Sequence, residues 1–242
     1  MLPLLFAVGC SRRKTAVAAG DRNQIIYRGN ASEPESLDPY LVRGAVEWAI
    51  VGGLGEGLVA PDLATLEPRP GVAERWEITP DGLTYRFFLR RGVVWSDGSP
   101  LTARDCEDGA RRMLAPRLGS AHPENNLFFV RGARDYQAGR SSDWRSVGVK
   151  ALDDSTLEIE LARPTPFFLS TLYPFFPVPQ PVVEKFAAMD ERVNNWIRGQ
   201  PRGQRSGQAQ GLEAEPRGGA GTQFAPLGRS PGAVAGGAFS PD

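Results

Sequence analysis

The chain has 242 residues, in which 28 lysine and arginine side chains are balanced by 28 aspartate and glutamate side chains. This balance argues against nucleic acid or an acidic surface as the binding partner. The length allows one large domain or two small ones.

An apolar run at residues 1–9 is followed at once by Cys10. It is too short to span a bilayer, which takes about 20 apolar residues. The stretch Ala-Val-Gly-Cys at residues 7–10 resembles a bacterial lipobox, although alanine replaces the usual leucine and no positive charge precedes the run. We predict a signal and tether over residues 1–20 with a lipid on Cys10, and the alternative is an ordinary cleaved signal.

The first elements expected after the tether are a strand at residues 24–28 and an apolar helix at residues 47–54, closed by glycines. The Thr-Pro-Asp-Gly stretch at residues 79–82 has the composition of a tight turn, and it predicts a hairpin within residues 76–95. A helix should then begin with Thr102 as its N-cap and Asp105 at its third position.

That helix should continue to residue 114, with Cys106 as a small buried residue on its inner face. Residues 125–139 should contain a second helix that ends at the glycine. A strand pair is expected at residues 146–150 and 156–161, across a turn at two consecutive aspartates. A last helix is predicted at residues 165–172, with aromatic side chains buried against the sheet.

Several motifs occur in a fixed order along the chain: SEPESLDP at 32–39, AERWE at 73–77, DGLTYRFFLR at 81–90, WSDGSPLTARD at 95–105 and GVKALDDSTLEI at 148–159. Together they resemble the bacterial extracellular solute-binding proteins that serve oligopeptide and dipeptide ABC transporters. The resemblance runs from about residue 24 to about residue 196. It implies an α/β fold, namely the first lobe of a two-lobed periplasmic-binding-protein type II fold, incomplete and covering residues 21–196.

Residues 197–242 have a different character, because Gly, Arg, Gln, Ala and Pro dominate and no helical or strand period persists. As written, this composition predicts a disordered tail. If the reading frame advances by one base from Gln200, the codons permit short amino-acid sequences that resemble the family's next motifs, in the same order. We therefore expect a frameshift between Trp196 and Gln200 and a truncated product, and the alternative is an authentic low-complexity tail.

The resemblance also suggests the ligand-binding residues. Residues 31–35 match the family's stretch that lines the cleft of the first lobe, so Ser32, Glu33 and Glu35 are the candidates, and Glu33 is suited to a peptide amide or ammonium group. Asn126 and Leu127, in an expected loop, are weaker candidates. An alternative interpretation, that Glu33, Glu35 and Asp38 are capping and solvated carboxylates of a turn, remains open.

Catalysis has little support in the sequence. His122 is the only histidine, and no nucleophile motif, phosphate loop or paired-cysteine metal spacing occurs. We therefore expect no catalytic residues, no metal and no cofactor.

The resemblance implies a lipid-anchored, monomeric, periplasmic or envelope protein that captures peptides and delivers them to ABC permease subunits. The truncated chain itself is expected not to bind peptide, because one lobe of a two-lobed fold cannot enclose a ligand. Two alternatives from other classes are an extracytoplasmic hydrolase and a chaperone-like envelope lipoprotein on the same scaffold.

Overall fold

The computed structural model describes residues 34–95, 97–120 and 123–192. Several predictions concern residues outside these ranges: the lipid on Cys10, the strand at residues 24–28, the candidates Ser32 and Glu33, His122, and the tail at residues 197–242. They stay predictions.

The described residues contain both helices and strands. The helices are α1 Ala45–Leu54, α2 Ala103–Leu114, α3 Pro123–Asn126, α4 Ala133–Gln137, α5 Phe168–Thr171 and α6 Gln180–Val183, with a 3₁₀ turn at Trp144–Ser146. The strands are β1 Val59–Pro61, β2 Pro68–Pro70, β3 Ala73–Ile78, β4 Thr84–Leu89, β5 Val149–Ala151 and β6 Thr156–Glu160. Among the described residues, no helix combines the length and the apolar character needed to cross a bilayer.

The main sheet has four antiparallel strands in the order β3-β4-β6-β5. The expected hairpin between β3 and β4 is confirmed, with Trp76 opposite Phe87. Gly82 closes its turn at a φ of 69°, in the left-handed region that glycine enters without steric cost. Strands β1 and β2 form a separate antiparallel ribbon.

The core lies between this sheet and helix α2. Side chains alternate along β4, so that Tyr85, Phe87 and Leu89 are buried. Helix α2 presents Cys106 and Met113 to the same core, and Cys106 is a buried free thiol as expected. The helix begins as predicted, since the Thr102 N–H donates to the Asp105 carboxylate at 2.7 Å.

The region around residues 125–139 contains two short helices, α3 and α4, with an extended turn between them. Gly132 interrupts the expected helix because its φ is 71°, and a Cβ there would lie 2.3 Å from the carbonyl oxygen of Ser146. The predicted helix at residues 165–172 is likewise shorter, covering Phe168–Thr171. Phe168 is buried against the sheet, whereas Phe167 points outward.

Candidate functional site

Glu35 is the one candidate from the predicted cleft stretch whose surroundings the structure describes in full. It is exposed, and its main-chain N–H donates to the Glu47 carboxylate of helix α1 at 3.4 Å. The half-buried Glu47 carboxylate thus lies beside the Glu35 main chain, while the Glu35 side chain is exposed. An exposed carboxylate can accept hydrogen bonds from an ammonium or amide group of a ligand.

The residues that follow Glu35 are held in the interior. Leu37, Asp38 and Tyr40 are all buried. The Asp38 N–H donates to the Ser36 hydroxyl at 3.1 Å. The Tyr40 N–H donates to Asp38 Oδ1 at 3.0 Å. The main chain next to Glu35 is thus fixed by local hydrogen bonds.

The strongest anchor is an ion pair between Asp38 and Arg112 of helix α2. Arg112 Nε donates to Asp38 Oδ2 at 3.2 Å, and Nη2 donates to the same oxygen. Charges removed from water in this way are tolerated only when they are paired and hydrogen-bonded. Helix α2 therefore fixes the segment that presents Glu35.

The same guanidinium also reaches the end of the described chain. Arg112 Nη1 donates to the carbonyl oxygen of Met189, and Nη2 lies 3.4 Å from that of Glu191. One side chain thus joins the Asp38 segment to residues 189–191, although both are far from Arg112 in sequence.

Tyr40 forms a second link to this region. Its hydroxyl donates to the carbonyl oxygen of Phe176, and burial raises the pKa of Tyr40 well above its usual value, so it stays protonated. Gly109 of α2 allows this close approach, because a Cβ there would lie 2.5 Å from the Phe176 oxygen and 2.8 Å from the Tyr40 hydroxyl. The segment is therefore packed against a glycine of the helix.

The acidic side chains of helix α2 have structural partners. Glu107 accepts hydrogen bonds from the Trp144 indole at 2.8 Å and from the Ala151 N–H at 2.9 Å, which ties α2 to β5. Burial raises the pKa of Asp108 to about 6, against the opposing effect of Arg104 and Arg111. These carboxylates organise the lobe.

Helix α2 also carries the buried thiol of Cys106. Burial raises the pKa of the Cys106 thiol, which disfavours the nucleophilic thiolate. Within the described ranges, no group of three His, Cys, Asp or Glu side chains is arranged to hold a metal ion.

Asn126 and Leu127 are placed differently from the expected loop. Asn126 is the last residue of α3, and Leu127 is fully buried in the main core, so its side chain contributes to packing and has no surface to offer a ligand. Asn126 is buried as well, and its carbonyl oxygen accepts the Thr171 hydroxyl at 3.2 Å. Ligand contact by this pair stays a prediction that the described placement does not favour.

Sequence reasoning missed the residues that organise the site. Arg112 and Tyr40 carry the anchor, yet neither was singled out. No clear signal was present in the sequence, because Arg111 and Arg112 are adjacent and only the structure shows that Arg112 is the buried one. A buried arginine requires an acidic partner, which here is Asp38.

Comparison with known proteins gives a consistent result. The model of the bacterial extracellular solute-binding proteins, family 5 middle region, matches residues 67–208. A protein of Escherichia coli K12 named as a probable deoxycholate-binding periplasmic protein is 41% identical over 184 residues, which are 72% of this chain and 33% of that protein. The dipeptide-binding protein DppE of Bacillus subtilis is 33% identical over 208 residues, 80% of this chain and 38% of DppE.

Solved structures agree. A periplasmic oligopeptide-binding protein of Borrelia burgdorferi superposes with a TM-score of 0.62 at 35% identity, covering 70% of this chain and 33% of that one. The oligopeptide-binding protein of Haemophilus influenzae, solved with the peptide RPPGFSPFR, gives a TM-score of 0.61 at 35% identity, covering 65% and 31%. The chain thus spans about a third of the length of the curated relatives it matches.

Proposed function

This chain belongs to the family 5 bacterial extracellular solute-binding proteins, and we propose that it supplies the first lobe of a peptide receptor for an ABC importer. The relatives include oligopeptide-binding and dipeptide-binding proteins, and the fold agrees with a relative solved with a bound peptide. The expectation of a mixed α/β first lobe is confirmed. The names of these relatives describe binding proteins, and we propose that this chain serves binding as well.

The observation that carries the proposal is the exposed Glu35 on an internally anchored segment. The Asp38–Arg112 ion pair and the Tyr40 hydrogen bond fix the main chain beside it. Because the main chain beside Glu35 is already ordered, binding costs little further main-chain entropy, which favours affinity. We assign to Glu35, with Glu33 and Ser32 before it, contact with the amide or ammonium groups of a peptide.

Substitution of Glu35 tests this assignment in a protein that includes the remainder of the family fold. We expect Glu35→Gln to weaken binding of a tripeptide with a free amino terminus by about tenfold, since a hydrogen bond to a charged group contributes about 1.5–3 kcal/mol. An N-acetylated tripeptide should show a smaller change. Glu77→Gln, on the exposed strand β3, is the matched control and should bind as the parent does.

The 242 residues span about a third of the length of the relatives they match, and enclosure of a ligand takes contacts on both of its sides, so we propose that these residues alone do not retain peptide. We further propose a frameshift between Trp196 and Gln200, because the codons from Gln200 onward, read one base further on, permit sequences that resemble the family's next motifs. Resequencing of the gene should show a one-base insertion or deletion near these codons, and stop codons early in the shifted frame would contradict it.

We propose a location in the periplasm or cell envelope, with a lipid on Cys10 and delivery of peptide to ABC permease subunits by a monomer. The support is the small-residue stretch before Cys10, together with periplasmic relatives. Metabolic labelling with palmitate tests the anchor. The protein should take up label, and Cys10→Ser should not.

A further inference from the structure

A groove separate from the Glu35 segment crosses the surface near helix α4. Its volume is about 540 Å³. Its side chains combine aromatic rings with charged groups: Phe128, Phe129, Arg134, Asp135, Arg140 and Arg163. A volume of this size is within the range of small-molecule sites, about 300–1,000 Å³.

The floor of the groove is held by main-chain hydrogen bonds. Val130 and Leu161 form an antiparallel bridge, and the Ala162 N–H donates to the Phe129 carbonyl at 2.8 Å. The Arg131 N–H donates to the Glu160 carbonyl of β6 at 2.9 Å. Because these groups are already paired within the protein, recognition falls to the side chains and not to an open strand edge.

The apolar part of the groove extends beyond its floor. The Phe129 ring meets the Phe167 ring edge to face at 5.4 Å, and Phe167 is 58% exposed. Phe128 lies beneath the Arg134 guanidinium, 4.9 Å from its ring centre. Aromatic surface is thus available to a ligand beside positive charge.

The groove carries more positive than negative charge. Asp135 is paired with Arg140, and Arg140 Nη2 lies 2.6 Å from the Asp135 carboxylate. Arg134 and Arg163 form no ion pair with any acidic side chain in the part of the chain that the structure describes. Two guanidinium groups therefore remain available to an anion, and this geometry matches carboxylates well.

We propose that this groove binds a small amphipathic carboxylate, with its apolar body on Phe128 and Phe129 and its carboxylate on Arg134 and Arg163. The excess positive charge selects the anion, and the aromatic rings select an apolar body. An extended peptide is less well suited because the floor offers few free main-chain groups. The groove shares no residue with the proposed peptide-contacting segment, so the two proposals can be tested independently.

Calorimetric titration of the full 242-residue chain tests the proposal with 4-phenylbutyrate and with its neutral amide. The two probes share one apolar body and differ in charge. We expect saturable binding of the carboxylate about tenfold tighter than binding of the amide, the effect of one charge-assisted hydrogen bond. Arg163→Gln should reduce this difference to the part that Arg134 supplies, and Arg163→Lys should restore some of it.

Arg145→Gln is the matched control, since Arg145 is a 91% exposed arginine outside the groove and should leave the preference unchanged. Circular dichroism of each variant separates a lost site from a lost fold. Equal affinity for acid and amide, or an unaltered preference in folded Arg163→Gln, overturns the proposal. Tighter binding of the N-acetylated peptide Ala-Ala-Phe-amide than of 4-phenylbutyrate also overturns it, in favour of a peptide groove.

Discussion

Arg112 and Asp38 form an ion pair in which both side chains are buried, at 0% and 1% exposure. The pair connects helix α2 to the segment that presents Glu35, and Arg112 also binds the carbonyl oxygen of Met189. The position of the candidate ligand-binding residue therefore depends on a contact in the interior. A change at either partner should affect stability and the site together.

Removing one partner of this pair should be strongly destabilising. We expect Asp38→Ala to lower the free energy of unfolding by about 3–5 kcal/mol, because the Arg112 charge is left buried without a carboxylate. Asp190→Ala is the control, since it removes the partner of Arg117 in an exposed pair and should cost less than about 1 kcal/mol. Urea denaturation of both variants measures the difference. Similar small losses would show that the buried pair is not the anchor.

Two glycines in helices should respond in opposite ways to alanine. Gly109→Ala places a Cβ against Phe176 and the Tyr40 hydroxyl, and we expect a loss of about 1–3 kcal/mol from overpacking. Gly52→Ala in α1 meets open space, and it should stabilise the helix by about 0.5–1 kcal/mol. Thermal unfolding followed by circular dichroism gives both values. Stabilisation by Gly109→Ala would mean that Tyr40 is not packed against α2.

The hairpin and the start of α2 followed from local sequence, since the turn at Gly82 and the Thr102–Asp105 cap are decided by neighbouring residues. The break at Gly132 did not, because its cause is the carbonyl oxygen of Ser146, which only the folded chain brings near. The Arg112–Asp38 anchor joins residues 74 apart in sequence, so no local pattern could pair them. Glu35 was identified through its family motif, and its support from α2 became visible only in three dimensions.

Strand β4 offers a test of its inward face. Leu89 is buried, so we expect Leu89→Asp to lower the free energy of unfolding by several kcal/mol, about 3 or more, because a carboxylate is buried without a partner. Leu63→Asp, at an 88% exposed position, is the control and should change stability by less than about 0.5 kcal/mol. Hydrogen exchange of β4 and β6 amides reports the loss. Unchanged amide protection in Leu89→Asp would mean that strand β4 does not lie in the core as described.

Asp108 should make stability depend on pH. Its folded-state pKa, about 6, lies above the usual 3.8, so the folded protein binds this proton more tightly than the unfolded chain. Stability contributed by the protonated form is therefore lost as pH rises from 3.8 to about 6. Asp108→Asn does not titrate, and we expect its free energy of unfolding to rise relative to the parent across this interval and to level off above it.

Denaturation at a series of pH values measures this difference between Asp108→Asn and the parent. Asp81→Asn is the control, because hydrogen bonds from the Thr79 hydroxyl and the Leu83 N–H hold the pKa of Asp81 below its usual value. Its difference from the parent should change only at lower pH. A flat profile for Asp108→Asn across the interval would show that burial does not perturb this carboxyl.

Peptide capture is the central claim, and calorimetric titration of a mixed tripeptide pool tests it most directly. Two proteins are compared, namely the 242-residue chain and the product read in the shifted frame beyond Trp196. The account predicts no saturable heat for the first and stoichiometric heat for the second. Absence of binding by both proteins, or continuous heat from turnover of the peptides, would contradict it.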